Sequence, residues 1–294
     1  MKSYKYLIKI GNKLLWKQIS RELLIWRAAP VVERLGKDLP EGLRPLSTAL
    51  ATTLSGTPDP KELPWIEAIE KLRFQLFEDE ESVFIHDFGA GNFYENTTRR
   101  DAPGLQSRPI NLTCWLSAKP PFWCFFLMNL VRRFQSQRCL ELGTNLGVST
   151  AYLAAAQLLN GAGSLVTIEG AEAFARKAGD HLTRFGLSKK TTSIVGPFSE
   201  KLPQALSTGY DFVFIDGHHV GSAMLKYYRM IRPHLKAPAI VVFDDISWSC
   251  DMRRAWNIIE RDPDFEVCLN LLTLGVCVFN PDAQKRIRLT IPLI

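Results

Sequence analysis

Asp216, His218 and His219 fall within four residues, directly after the apolar, β-prone run Phe212 to Ile215 in "DFVFIDGHHV". An acid and two imidazoles at the end of a buried strand suit three roles: metal ligation, general base catalysis, or the polar lining of a turn. A second acidic pair, Asp244 and Asp245, ends another apolar run in "AIVVFDD". Two glycine loops compete for a ligand role, "DFGAGN" from Asp87 and "ELGTNLGVST" from Glu141. The second follows an apolar strand and opens a helix at Val148, so its glycines let the chain turn sharply beside a ligand at a helix N-terminus. The first has no helix after it and reads as a turn that packs on the site or covers it. Gly143 and Gly147 do not make the dinucleotide pattern G-x-G-x-x-G. Glu169 ends the next strand, 22 residues past Gly147, where an acid can accept hydrogen bonds from both ribose hydroxyls of an adenosyl ligand. In "GPFSE", Phe198 is placed to pack on an adenine face and Ser199 to cap the helix that follows. The ordinary alternatives are a surface acid for Glu169 and a core aromatic for Phe198.

These residues need a scaffold that brings strand ends together. From Arg138 onward the chain alternates β-rich runs with helical stretches: "RCLELG", helix 148–159, "SLVTIEG", helix 171–185, "TTSIVG", helix 199–206, "DFVFIDG", helix 220–235, "AIVVFDD", helix 249–260. Such alternation with apolar strands predicts a parallel sheet covered on both faces. Two closing strands, "FEVCLNLL" and "GVCVFN", joined by a tight Thr-Leu-Gly connection, require one antiparallel strand. Upstream, residues 38–64 are rich in Pro and Gly and read as a linker with at most one short helix. "WIEAIEKLRFQLF" has helical spacing, and "SVFIH" reads as a strand. The expected division is residues 1–64 as a basic helical extension and linker, 65–137 as a pocket-forming part, and 138–294 as the ligand-binding core.

Composition narrows the class. At 294 residues, 46% hydrophobic and 22% charged, the chain fits one large α/β domain with an appendage. No window approaches the ~18 unbroken apolar residues of a membrane span, and the start lacks the apolar region and cleavage site of a signal peptide. Six cysteines without a C-x-x-C pair argue against a zinc knuckle or a disulfide framework, and for free thiols in the cytoplasm. The net charge of +6 is local: residues 1–37 hold nine Lys/Arg and two acids, which leaves the rest at −1 and gives no case for nucleic-acid binding. Within that segment Lys2, Lys5, Lys9, Lys13, Lys17 and Arg21 recur at helical spacing among apolar residues. A basic amphipathic helix of this kind either makes a peripheral membrane or partner contact, or packs on its own domain with a solvated charged face.

Taken together, "LELGTNLGVSTAYLA", "VTIEG", "FVFIDGHH" and "IVVFDDISWS" resemble the class I S-adenosylmethionine-dependent methyltransferases over roughly residues 130–280. The resemblance implies a doubly wound, mostly parallel seven-stranded Rossmann-like sheet with a terminal antiparallel hairpin. It implies a cofactor site made by Glu141, Gly143, Thr144, Asn145, Gly147, Ser149, Glu169, Gly170, Phe198, Ser199 and Asp216. In more detail the chain is similar to the branch of catechol-type and macrolide-sugar O-methyltransferases, in which an acid after the fourth strand and a pair after the fifth bind Mg²⁺. Those positions are Asp216, Asp244 and Asp245 here, and three oxygen ligands without clustered thiols suit Mg²⁺, Mn²⁺ or Ca²⁺ better than zinc. His219 stands three residues past Asp216, where the resembled enzymes carry a base. The implied reaction is methyl transfer to a hydroxyl of a small-molecule acceptor, with the metal lowering the hydroxyl's pKa. The alternatives are a metal-independent O- or N-methyltransferase and a non-catalytic binding protein on the same fold. Trp248 is a candidate acceptor contact; His218 has no assigned role; His86, His181 and His234 read as structural. The acceptor itself is not legible.

Overall fold

A computed structural model describes residues 25–86, 105–206 and 209–293. The basic residues from Lys2 to Arg21 and the DFGAGN loop lie outside the described residues. Helix α1 covers 25–38 and buries Ala28, Val32 and Leu35, a spacing that lines one helical face. This part of the basic segment therefore packs on its own domain, although Trp26 stays 74% exposed.

The stretch expected to be mainly linker instead holds a three-turn helix, α2 (Arg44–Ser55), which buries Leu46, Ala49, Leu50, Thr53 and Leu54. After it come α3 (Leu63–Glu78) and a two-stranded antiparallel sheet of β1 (Ser82–His86) and β2 (Leu105–Pro109). Two further helices, α4 (Ile110–Ser117) and α5 (Pro121–Arg133), complete this part. Nine residues of α5 are buried, because it lies between α2 and the core helix α6 (Val148–Leu159). Arg132 near its end reaches Glu62 at 3.2 Å, which neutralises an otherwise buried acid.

The core strands are β3 (Arg138–Leu142), β4 (Ser164–Glu169), β5 (Thr191–Val195), β6 (Tyr210–Ile215), β7 (Leu235–Phe243), β8 (Phe265–Asn270), β9 (Gly275–Phe279) and β10 (Ile287–Thr290). Their order across the sheet is β5-β4-β3-β6-β7-β9-β8-β10, and β9 alone runs antiparallel to its neighbours. The sheet thus has eight strands rather than seven. The added edge strand β10 is held by Arg288, whose guanidinium donates to the Phe265 carbonyl at 3.0 Å. Helices α7 (Glu172–Arg184), α8 (Phe198–Ala205), α9 (Gly221–Ile231) and α10 (Cys250–Ile259) complete the β-α alternation.

Both sheet faces are covered, as the strand composition requires. Phe212, Phe214, Ile240 and Val242 join one apolar cluster, and Val213, Ile215, Val241 and Phe243 join the other. Successive side chains alternate between faces. The strand order reverses at β3, which pairs with both β4 and β6, and in doubly wound sheets ligands bind beyond the carboxyl ends of the strands at such a point. Among the described residues no helix is long and apolar enough to cross a membrane.

Candidate active site

The glycine loop after β3 is shaped by contact with the strand beside it. Gly143 has φ +106°, and a Cβ placed on it would lie 1.7 Å from the Asp216 carbonyl oxygen. Gly147, at φ +84°, precedes α6 and would meet Ala178 of α7 at 2.9 Å. Both positions need glycine for its conformation and its lack of bulk. The first ties the glycine loop to the residue that follows β6. The loop is also held from outside: His181 Nδ1 lies 3.0 Å from the Leu146 carbonyl. Burial lowers the pKa of His181, and the neutral ring donates Nδ1–H to that carbonyl.

Beneath the loop lies a closed polar network. Glu141 is fully buried and accepts from Ser149 at 2.6 Å, Thr150 at 2.6 Å and Thr167 at 2.8 Å. Thr144 and Thr167 share a hydroxyl hydrogen bond of 2.6 Å. Burial raises the pKa of Glu141, and the three hydroxyl donors pull it back. Glu141, Thr144 and Ser149 therefore spend their side chains on one another under the loop. Thr150 and Thr167, which sequence reasoning did not single out, complete the set.

Glu169 and Asn145 meet at the carboxyl end of β4. Glu169 accepts from the backbone N–H groups of Asn145 at 2.7 Å and Ala171 at 2.9 Å, which fixes its carboxylate at the end of β4, next to Gly170. Asn145 has φ 49°, and its buried Oδ1 finds no hydrogen-bond partner among the described residues. Phe198 opens α8 and meets Tyr227 edge-on, with centroids 5.6 Å apart. Ser199 does not cap this helix. Pro197, with its restricted φ of −62°, takes the N-cap position, so the helix starts at Phe198 and Ser199 falls in its exposed first turn.

The turn after β6 separates the two histidines. His218, at φ 54°, lies with Nδ1 2.8 Å from the Tyr227 hydroxyl, on the side of Phe198. His219 faces the other way, with Nδ1 3.3 Å from Asp245 Oδ2. A carboxylate there favours the proton on Nδ1 and leaves Nε2 as the basic nitrogen. Because β6 and β7 are parallel neighbours with Ile215 opposite Phe243, Asp216 and Asp244 emerge side by side. Ligand atoms of Asp216, His219 and Asp244 lie within 4.8 Å of one another. Asp245 is not in that group and instead faces His219. Trp248, on the exposed turn after the acids, donates its backbone N–H to Asp245.

A fourth group enters from the part expected to form the pocket, where no individual residue was singled out. Lys119, in the turn between α4 and α5, forms a hydrogen-bonded ion pair with Asp244 and lies 3.7 Å from Asp216. The side chains are 10%, 2% and 14% exposed for Lys119, Asp244 and Asp216. Burial, then the Asp244 carboxylate, push Asp216 well above the usual carboxylate range. Burial opposes ionisation of Asp244 as well, but the Lys119 ammonium and a hydrogen bond from Asp216 outweigh it and hold Asp244 below that range. Burial and Asp244 raise Asp245, while Lys119 and His219 pull it down. Burial works against charge on Lys119, yet the three acids keep its pKa above the ordinary value. The donor set of Asp216, His219 and Asp244 has the right chemistry for a hard divalent ion. With the Lys119 ammonium bonded to Asp244, however, the cluster does not fit a second cation beside it.

Comparison with known proteins agrees with this architecture. Residues 140–246 match a family model described as a methyltransferase domain. The SAH-bound O-methyltransferase from Bacillus cereus superposes with a TM-score of 0.51 at 22% identity, over 58% of this chain and 87% of that one. The chain shares the α/β fold of that enzyme. Two curated relatives are similar to part of this chain. The catechol O-methyltransferase of Mycobacterium tuberculosis is 32% identical over 124 residues, 41% of this chain and 53% of that protein. The catechol O-methyltransferase of Niastella koreensis is 35% identical over 124 residues, 41% of this chain and 54% of that protein. The chain thus spans about half the length of the curated relatives it matches.

Proposed function

We propose that the protein transfers the methyl group of S-adenosylmethionine to a hydroxyl of a small-molecule acceptor. The observation that carries this reading is the packing of the Gly143 loop directly on Asp216, which joins a nucleoside-type crevice to a strand end bearing a positioned imidazole. Bound S-adenosylmethionine supplies an electrophilic methyl group on a sulfonium. Glu169, already oriented by two backbone donors, has acceptor capacity for ribose hydroxyls, and Phe198 offers a ring edge for the adenine. The Asn145 Oδ1 left without a partner among the described residues is an acceptor for a cofactor donor. Nε2 of His219 takes the acceptor's proton as its oxygen attacks the methyl carbon and the carbon–sulfur bond breaks. Asp245 stabilises the imidazolium that results.

The divalent ion that the sequence resemblance implies is not needed for these steps. Asp216 and Asp244 are the residues that would hold it, and Lys119 is bonded to one of them and close to the other.

The reading is tested with the full chain, S-adenosylmethionine carrying a deuterated methyl group, and a panel of catechols, phenols and amines. Mass spectrometry is expected to find the label on oxygen. Label on nitrogen acceptors alone would contradict it.

A further inference from the structure

Lys119 is placed with more precision than a surface lysine requires. Ala118 is extended at φ −72° and ψ 128°, Pro120 follows with φ −54° and ψ 149°, and a residue before proline is itself held out of the helical region. The Lys119 carbonyl accepts from the Cys124 thiol at 3.2 Å, one turn into the buried helix α5. The backbone is thereby held on both sides of Lys119, and its side chain reaches into the acid cluster. A buried ammonium is tolerated only where carboxylates compensate it, and buried carboxylates only where a cation does.

Asp216 and Asp244 therefore already have their counter-ion. A divalent ion bound by oxygens at about 2.0–2.6 Å would compete with Lys119 for the Asp244 carboxylate, and would sit close to a like charge. We propose that Lys119 is a built-in cation that takes the place of a divalent metal in this site. The proposal adds to the methyltransferase reading and rests on it in one respect: the acceptor oxygen would then lie beside an ammonium. A lysine can donate to that oxygen as a hydrogen bond in which the metal would have been a Lewis acid. The acceptor is held without a metal, and the proton passes to His219.

Mn²⁺ is the probe, followed by the electron paramagnetic resonance signal of the free ion in the presence of the full-length protein. Wild type is expected to leave the signal unreduced at millimolar Mn²⁺. Lys119→Ala is expected to bind one ion per chain at least about tenfold more tightly, equivalent to about 1.4 kcal/mol or more. Lys119→Gln keeps hydrogen-bond donors for Asp244 without the charge, so it stands in if the alanine variant does not fold, and the same gain is expected. Stoichiometric Mn²⁺ binding by wild type would overturn the proposal, since Lys119 would then yield to the metal. Failure of folded Lys119 variants to bind would overturn it too, since the acids would not form a latent metal site. Calorimetry with S-adenosylmethionine on the same samples reports the cofactor site separately, so a failure of the methyltransferase reading is told apart from a failure of this one.

Discussion

Gly143→Ala is expected to abolish cofactor binding and to destabilise the fold by on the order of 4 kcal/mol. Two costs combine at this position. The left-handed φ of +106° disfavours any residue with a side chain, by about 1–2 kcal/mol. The new methyl group would also lie 1.7 Å from the Asp216 carbonyl oxygen, which is backbone at the end of a central strand and cannot rotate away. Relief requires the loop after β3 to separate from β6, and that separation moves Asn145 away from Glu169. Gly42→Ala, where a methyl group meets nothing within 4 Å, is the matched control. Denaturant midpoints with equal slopes for the two variants and wild type measure the difference.

His219→Ala is expected to lower kcat by about 10²–10⁴-fold, the range for a positioned general base, with cofactor affinity unchanged. The contact with Asp245 at 3.3 Å makes the imidazole's orientation part of the effect, so Asp245→Asn should also lower kcat, by less. Added imidazole should restore part of the activity of His219→Ala and none of that of Asp245→Asn. A merely structural role for His219 would show no such rescue. His218→Ala should affect cofactor affinity rather than kcat, because its partner is Tyr227 beside Phe198.

The strand-end residues were legible because a parallel α/β sheet places every strand's carboxyl end on one edge. An acid closing an apolar run is therefore positioned by the run itself, as at Glu169, Asp216 and Asp244. Lys119 carries no such signal. It is 125 residues from Asp244, and only the packing of α5 between α2 and α6 brings it to the acids. The one local cue is an isolated lysine fixed before Pro120 and Pro121 between two apolar helices. Helix α2 was hidden differently. Pro and Gly flank it on both sides, and its Ser and Thr residues have weak helix propensity, but burial of Leu46, Ala49, Leu50 and Leu54 outweighs both. Glu141 was legible as an important acid and not as an internal one, because the three hydroxyls that consume it come from α6 and β4. The edge strand β10 was missed because a short alternating run with an arginine in it has no signal apart from the strand it joins.

The most direct test of the account is a calorimetric titration of the full-length protein with S-adenosylmethionine in the presence of EDTA. The account predicts saturable binding of one cofactor per chain, unaffected by the chelator and lost in Glu169→Ala. Absence of binding to the folded wild-type protein would contradict it.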